Sequence, residues 1–132
     1  MAHTITYNPA TRTVEAIVQG TISFGELNAI FAEAIQSLAE HDSYLYLADY
    51  TEATISASTI ELYNLPKTLA SAAIPYGYSV HKLRRAIVIR ENTPDFLFYE
   101  TVTLNRGQST RLFYDMDAAK EWLAVYPQQM GL

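Results

Sequence analysis

The chain contains no cysteine. That removes a disulfide framework, a thiolate nucleophile and every cysteine-ligated metal from consideration. No unbroken apolar run approaches the ~18 residues that a membrane-spanning helix needs, so no span is expected. Basic charge is scarce in the first half: residues 1–66 hold eight acidic side chains and one basic one, Arg12. Residues 67–132 hold six acidic and eight basic side chains, with Lys82, Arg84, Arg85 and Arg90 close together. The net charge is −5. Nonspecific nucleic-acid binding, which depends on lysine and arginine neutralising phosphates, is disfavoured by that balance. The opening Met1-Ala2-His3-Thr4 has neither a basic nor an apolar leader pattern, and a cytoplasmic protein is expected.

What is present describes a globular core: 49% hydrophobic and 17% charged residues over 132 positions, the length of one domain spanning 1–132. A chain of this size buries about two-thirds of its unfolded surface, so it needs no staple.

Thr4 to Tyr7 is β-rich, and Asn8-Pro9-Ala10-Thr11 signals a turn. Val14, Ala16 and Val18 then alternate with Thr13, Glu15 and Gln19, the period of a strand, so the pair reads as a hairpin that ends at Gly20. Ser23-Phe24-Gly25-Glu26 has the form of a capping box. Behind it Phe24, Leu27, Ile30, Phe31, Ala34, Ile35 and Leu38 share one helical face. Tyr44 to Asp49 is apolar at nearly every position, as in a strand covered on both faces, and a polar loop is expected after it.

Ser58 to Glu61 repeats the capping box. Leu62, Leu65 and Leu69 continue at helical spacing, with a kink or two short helices expected at Pro66. Ile74 to Tyr78 reads as a loop, Arg85 to Arg90 as a further strand, and Thr93-Pro94 as the start of a third helix that stops at Gly107. Leu112-Phe113-Tyr114 is a last short strand, and Asp115 caps a final helix with Ala118, Trp122 and Leu123 inward. The order is β-β-α-β-α-β-α-β-α, an α/β fold with a mixed, mainly parallel sheet.

A succession of short motifs points further. Asp49, Ile55-Ser56-Ala57-Ser58, Leu62-Tyr63-Asn64-Leu65 and Arg85-Ala86-Ile87-Val88 follow one another. Then come Asp95-Phe96-Leu97, Asn105-Arg106-Gly107 and Arg111-Leu112-Phe113-Tyr114-Asp115 with Ala119 and Trp122-Leu123. Over roughly residues 5–125 this resembles the SpoIIAA-like branch of the STAS and Sec14-type domains. The resemblance implies a single SpoIIAA-like (STAS-like) domain, with helices packed mainly on one face of a mixed sheet. The better-known STAS relatives are anti-sigma-factor antagonists, switched by phosphorylation of a serine that begins the second helix within a run like Asp-Ser-Ser-Gly. The matching stretch here is Ser56-Ala57-Ser58-Thr59, without the aspartate or the glycine. The resemblance thus implies Ser58, and next to it Ser56, as phospho-acceptors.

The search for chemistry finds little. His3, His41 and His81 are dispersed, with no two at metal-ligand spacing. No nucleophile elbow, P-loop or dinucleotide fingerprint is present. Ser23, Ser56 and Ser58 fit helix caps better than nucleophiles. Glu91, Asp95, Asp115 and Asp117 lie at helix starts, and with Asp49 and Glu52 they define an acidic edge. Lys82, Arg84, Arg85, Arg106 and Arg111 define a basic edge at helix ends, as the helix dipole favours. No catalytic set, cofactor or metal is expected.

Two surfaces stand out. Ile74, Tyr76, Tyr78 and Val80 make an unusually apolar loop, a contact site for a protein partner or for a homodimer. Phe96-Leu97-Phe98-Tyr99 is wider than one buried stripe, so at least one of the four should face outward or line a pocket. The leading expectation is a non-catalytic binding or regulatory module acting through protein contacts. The alternative is a carrier or sensor of a small apolar ligand, held under the third helix by Phe96, Phe98 and Tyr99.

Overall fold

A computed structural model describes residues 2–90, 94–105 and 108–129, with side chains for 3–90, 96–104 and 108–125. β1 (Ala2–Asn8) and β2 (Thr13–Ser23) form the hairpin, antiparallel and in register from Ala2 opposite Gln19 to Asn8 opposite Thr13. Its turn is held by Asn8, whose Oδ1 accepts from the Ala10 amide at 3.0 Å. α1 (Phe24–Glu40) follows, then β3 (Leu45–Ser56), α2 (Thr59–Ala73), a 3-10 turn (Ile74–Tyr76), β4 (Arg84–Val88), α3 (Pro94–Asn105), β5 (Ser109–Phe113) and α4 (Met116–Gln129). The strands lie in chain order, and β2 through β5 are parallel.

Both capping boxes form. The Ser23 and Ser58 hydroxyls accept from the amides of Glu26 and Glu61 at 3.2 and 3.1 Å. The two glutamates accept in return from the cap amides. Each box satisfies amides that the first helical turn leaves without partners. Ser58→Ala is therefore expected to lower stability by about 1 kcal/mol in urea titrations, with the far-UV spectrum unchanged at zero urea.

Three boundaries depart from the sequence pattern. β2 does not stop at Gly20 but runs to Ser23, and Gly20 holds φ 91°, a backbone angle that glycine adopts freely. β3 runs on through the stretch expected as a polar loop. The cause is a shift in register: Ile17 faces Asp49 while Gln19 faces Glu52, so β3 carries one extra residue. The bulge reverses the alternation of β3. Tyr46, Ala48 and Tyr50 face the main core before it, and Ala53 and Ile55 face the same core after it. An alternating pattern that changes phase reads as loop. Finally, α2 is one helix through Pro66, whose ring is buried along with Leu62, Leu65, Leu69 and Ala73.

The core lies in two layers. α1, α2 and α3 cover one face of the sheet, with Leu27, Ile30, Ile35, Leu62, Leu65, Phe96 and Tyr99 set against Val14, Val18, Tyr46 and Ile87. α4 covers β3, β4 and β5 on the other face, where Ala119 and Leu123 meet Leu45, Leu47, Ala86 and Val88. Trp122 flanks that second layer, with the Arg84 guanidinium 4.0 Å above its ring. Strands β1 and β2 have no helix on the α4 side, so Ile17 is half exposed there. Among the described residues, no helix is long and apolar enough to cross a membrane.

Candidate functional site

In open α/β sheets, a ligand crevice forms at the carboxyl ends of strands where the strand order reverses and successive crossover helices part to opposite faces. Here the order never reverses, and α1, α2 and α3 lie side by side on one face. The carboxyl edge holds instead a shallow crevice of about 280 Å³ lined by Tyr50 to Thr54, Arg90 and Phe96. Its charges answer each other: Arg90 Nη2 donates to Glu52 at 2.5 Å. Asp49 accepts from the amide and hydroxyl of Thr51 at 2.9 and 2.7 Å, which fixes the bulge. Asp115 caps α4 through the Ala118 amide at 3.1 Å. Of the acidic edge, Glu91 and the side chain of Asp95 lie outside the described residues.

The space under α3 is small. Phe96 and Tyr99 line a crevice of about 10 Å³ with Leu27, Phe31, Tyr50 and Leu62. That is the room of one water at most. Phe98 is not on it but packs half-buried against the core, and Leu97 faces outward. The wide apolar run on α3 is thus absorbed by packing on one side and by solvent on the other.

The tyrosine loop divides in two. Ile74 and Tyr76 stand on the surface, 75% and 50% exposed. Tyr78 and Val80 turn inward, a correction to the expected contact site. The Tyr78 hydroxyl donates to the Ser43 carbonyl at 2.6 Å, its ring stacks on Tyr44 at 4.7 Å, and Val80 joins the core. Gly77, at φ 63°, makes the reversal that brings them in. Exposed apolar residues are instead concentrated on the outward faces of α2, the 3-10 turn and α3. Among the described residues, six of the nine large exposed hydrophobics lie there: Ile60, Tyr63, Ile74, Tyr76, Leu97 and Leu104. The i, i+7 spacing of Leu97 and Leu104 was the sequence signal for the α3 part of this face.

Ser56 and Ser58 are both exposed, Ser56 at the end of β3 and Ser58 as the cap of α2. A phosphate on Ser58 would sit at a helix start, where negative charge is favoured, but beside the Glu61 carboxylate that completes the box.

Sequence reasoning missed the most unusual group, placing Arg85 on a basic surface edge. The side chain is 3% exposed. Its Nη1 donates to the Tyr99 hydroxyl at 2.6 Å and its Nη2 to Gln108 Oε1 at 2.8 Å. Gln108 Nε2 in turn donates to the Pro66 carbonyl at 3.0 Å. The chain of bonds ties β4 to α3, β5 and α2. The available signal was parity: in a strand, Arg85 shares a face with Ile87 and Ile89. Around the guanidinium stand Tyr46, Tyr50 and Tyr99, all buried. Burial pushes each of their hydroxyl pKa values above the ordinary 10, against the downward pull of Arg85.

The histidines stay apart. His3 Nε2 meets Glu33 at 2.7 Å, while His41 stacks on Tyr7 and reaches the Ser37 carbonyl at 2.8 Å. On the α4 side a groove of about 320 Å³ has Leu45, Leu47 and Leu123 as floor and Glu15 and Lys120 at its rim.

Comparison with known proteins bears on the fold. No family model matches the chain, and no curated protein matches it. A solved structure does: an uncharacterised protein of the DUF3478 family, with a SpoIIAA-like fold, from Shewanella loihica PV-4. The two are 17% identical, with 92% of each chain covered and a TM-score of 0.54. The fold is SpoIIAA-like, as the sequence motifs implied.

Proposed function

We propose that this chain is a non-catalytic binding module of SpoIIAA-like fold, and that it works through protein contacts made by the outward face of α2, the 3-10 turn and α3. The carrying observation is that Ile60, Ile74, Tyr76, Leu97 and Leu104 are all exposed on α2, the 3-10 turn and α3, with Ile60 and Ile74 74% and 75% exposed. Soluble monomers rarely present large contiguous apolar patches, and those they do present are contact sites.

The occupant assigned to this face is a second copy of the chain. A two-fold interface sets a patch against itself, so the patch must tolerate its own charges. Lys67 lies on the exposed side of α2, while Glu61 is held in the capping box and Glu100 accepts from the Leu112 amide of β5, so Lys67 is the charge that a second copy would meet at this face.

Light scattering after size exclusion tests the reading. The wild-type protein is expected to run as a dimer at tens of micromolar. Ile60→Asp and Leu97→Asp each place a charge at the interface and should give monomers with unchanged far-UV spectra. A wild-type mass of one chain up to several hundred micromolar would overturn the proposal, as would a dimer that survives both substitutions.

A further inference from the structure

In the sheet order β1 has β2 on one side and no strand on the other. Among the described residues, its backbone bonds only to β2. The outer row of amides and carbonyls is a template for one more strand, and folds guard such rows with charge, proline, bulges or short length. β5, the opposite edge, is guarded: it has five residues, carries Arg111 and lies against α3. β1 has seven, Ala-His-Thr-Ile-Thr-Tyr-Asn, with no lysine, carboxylate, proline or glycine. Its register with β2 is unbroken. On the α1 side Ile5 and Tyr7 are only partly buried, and an added strand would cover them.

The flank of α1 beside this edge is acidic. Glu33 Oε2 meets His3 Nε2 at 2.7 Å, which sets that flank along β1, and the Glu33 side chain is still 53% exposed. Glu40 stands two turns further on the same side of the helix, exposed and bonded to the neutral Gln36 amide. α1 has no basic residue, and Arg12, the one basic side chain of residues 1–66, sits in the hairpin turn. A second copy is a poor strand donor here. Antiparallel pairing about a two-fold axis would put both α1 helices on the same face of the joined sheet, acidic flank against acidic flank. A basic strand meets the opposite situation. We propose that β1 receives an extended, lysine- or arginine-rich segment of a partner protein as an added strand. Its backbone bonds to β1, and alternate side chains lay their apolar stems on Ile5 and Tyr7 and carry their charges to Glu33 and Glu40. This edge is separate from the contact face on α2 and α3.

The probe is a capped seven-residue peptide alternating lysine and valine, titrated into isotope-labelled protein at low salt. The amide resonances of β1 should shift and saturate, and their exchange with solvent should slow. A fully N-methylated analogue keeps the charge, loses every backbone donor and should bind at least about tenfold more weakly. A glutamate–valine peptide should not bind. Glu33→Gln and Glu40→Gln should each weaken the lysine peptide about two- to fivefold, and added salt should weaken it further. The proposal is overturned if the lysine peptide does not bind, if it shifts residues other than β1, or if the N-methylated or glutamate peptide binds equally well. Protection of β1 amides in a peptide-free oligomer would also overturn it, by assigning the edge to a second copy. The α2–α3 reading is judged separately, by the mass of the chain alone.

Discussion

Alkali is expected to unfold this protein steeply from just above pH 10. Tyr46, Tyr50 and Tyr99 are 2%, 4% and 4% exposed, and burial raises the pKa of each above the ordinary 10. Below pH 10 these phenols are protonated in folded and unfolded chains alike and contribute no pH dependence. Above pH 10 the unfolded chain releases the three protons before the folded chain does. The folded state then binds more protons, so its stability falls as pH rises. Each phenol contributes at most about 1.4 kcal/mol per pH unit, and three together at most about 4 kcal/mol per unit. Against a typical domain stability of about 5–15 kcal/mol, a fall at that full slope takes the fold apart within roughly one to four units. Far-UV circular dichroism measures the loss. Tyr50→Phe should reduce the slope by one proton. A stability that stays level from pH 10 to pH 12, or a Tyr50→Phe slope equal to that of the wild type, would show that the three phenols ionise freely in the folded protein.

The same cluster shows where sequence pattern stops being informative. Period and capping chemistry revealed the element order and both capping boxes, because those signals are local: Ser23 with Glu26, and Ser58 with Glu61, act within one turn. Register between strands is not local. The extra residue in β3 reverses the facing of Ala53 and Ile55, and only the pairing with β2 makes that visible. Pro66 likewise reads as a break, because its ring removes a donor from the helix. The flanking leucines hold the helix together through it, and its carbonyl is taken by Gln108, 42 residues away.

The candidate sites were legible in proportion to how local they were. Ile74 and Tyr76 are surface residues, as the apolar loop suggested, while the run from Phe96 to Tyr99 pointed to an outward residue without showing that it is Leu97. Tyr78 and Val80 belong to the same apolar run, but the left-handed turn at Gly77 folds them back onto Ser43 and the core. Phe96 and Tyr99 were read as possible pocket walls, and they are inward-facing as that reading required. Whether walls enclose space is decided by the partners opposite, here Phe31, Leu62 and Leu65, which fill it. Arg85 was the largest omission. A charged residue in a strand is taken for an edge or surface group unless its acceptors are known, and these come from α3 and from the approach to β5.

Gln108→Leu should be among the most damaging single substitutions in the chain, although the two side chains differ little in size. Gln108 is 5% exposed and sits between the Arg85 guanidinium and the Pro66 carbonyl. Its Oε1 accepts from Arg85 Nη2, and its Nε2 donates to the Pro66 carbonyl inside α2. The substitution leaves one arm of a charged donor unpaired in the interior and removes the second hydrogen bond of a helical carbonyl. Together these cost about 3 kcal/mol, or a fall in Tm of roughly 10 °C. The loss should depend on the charge of its neighbour. When Arg85→Met is present as well, the guanidinium that needed an acceptor is gone, and only the second bond of the carbonyl is lost. The double variant should therefore be more stable than the sum of the single losses implies, by at least about 1.5 kcal/mol. Urea titration of the four proteins measures that difference directly. If the two losses add to within about 0.5 kcal/mol, Gln108 and Arg85 act independently, and the three bonds joining α2, α3 and β4 are separate contacts rather than one unit.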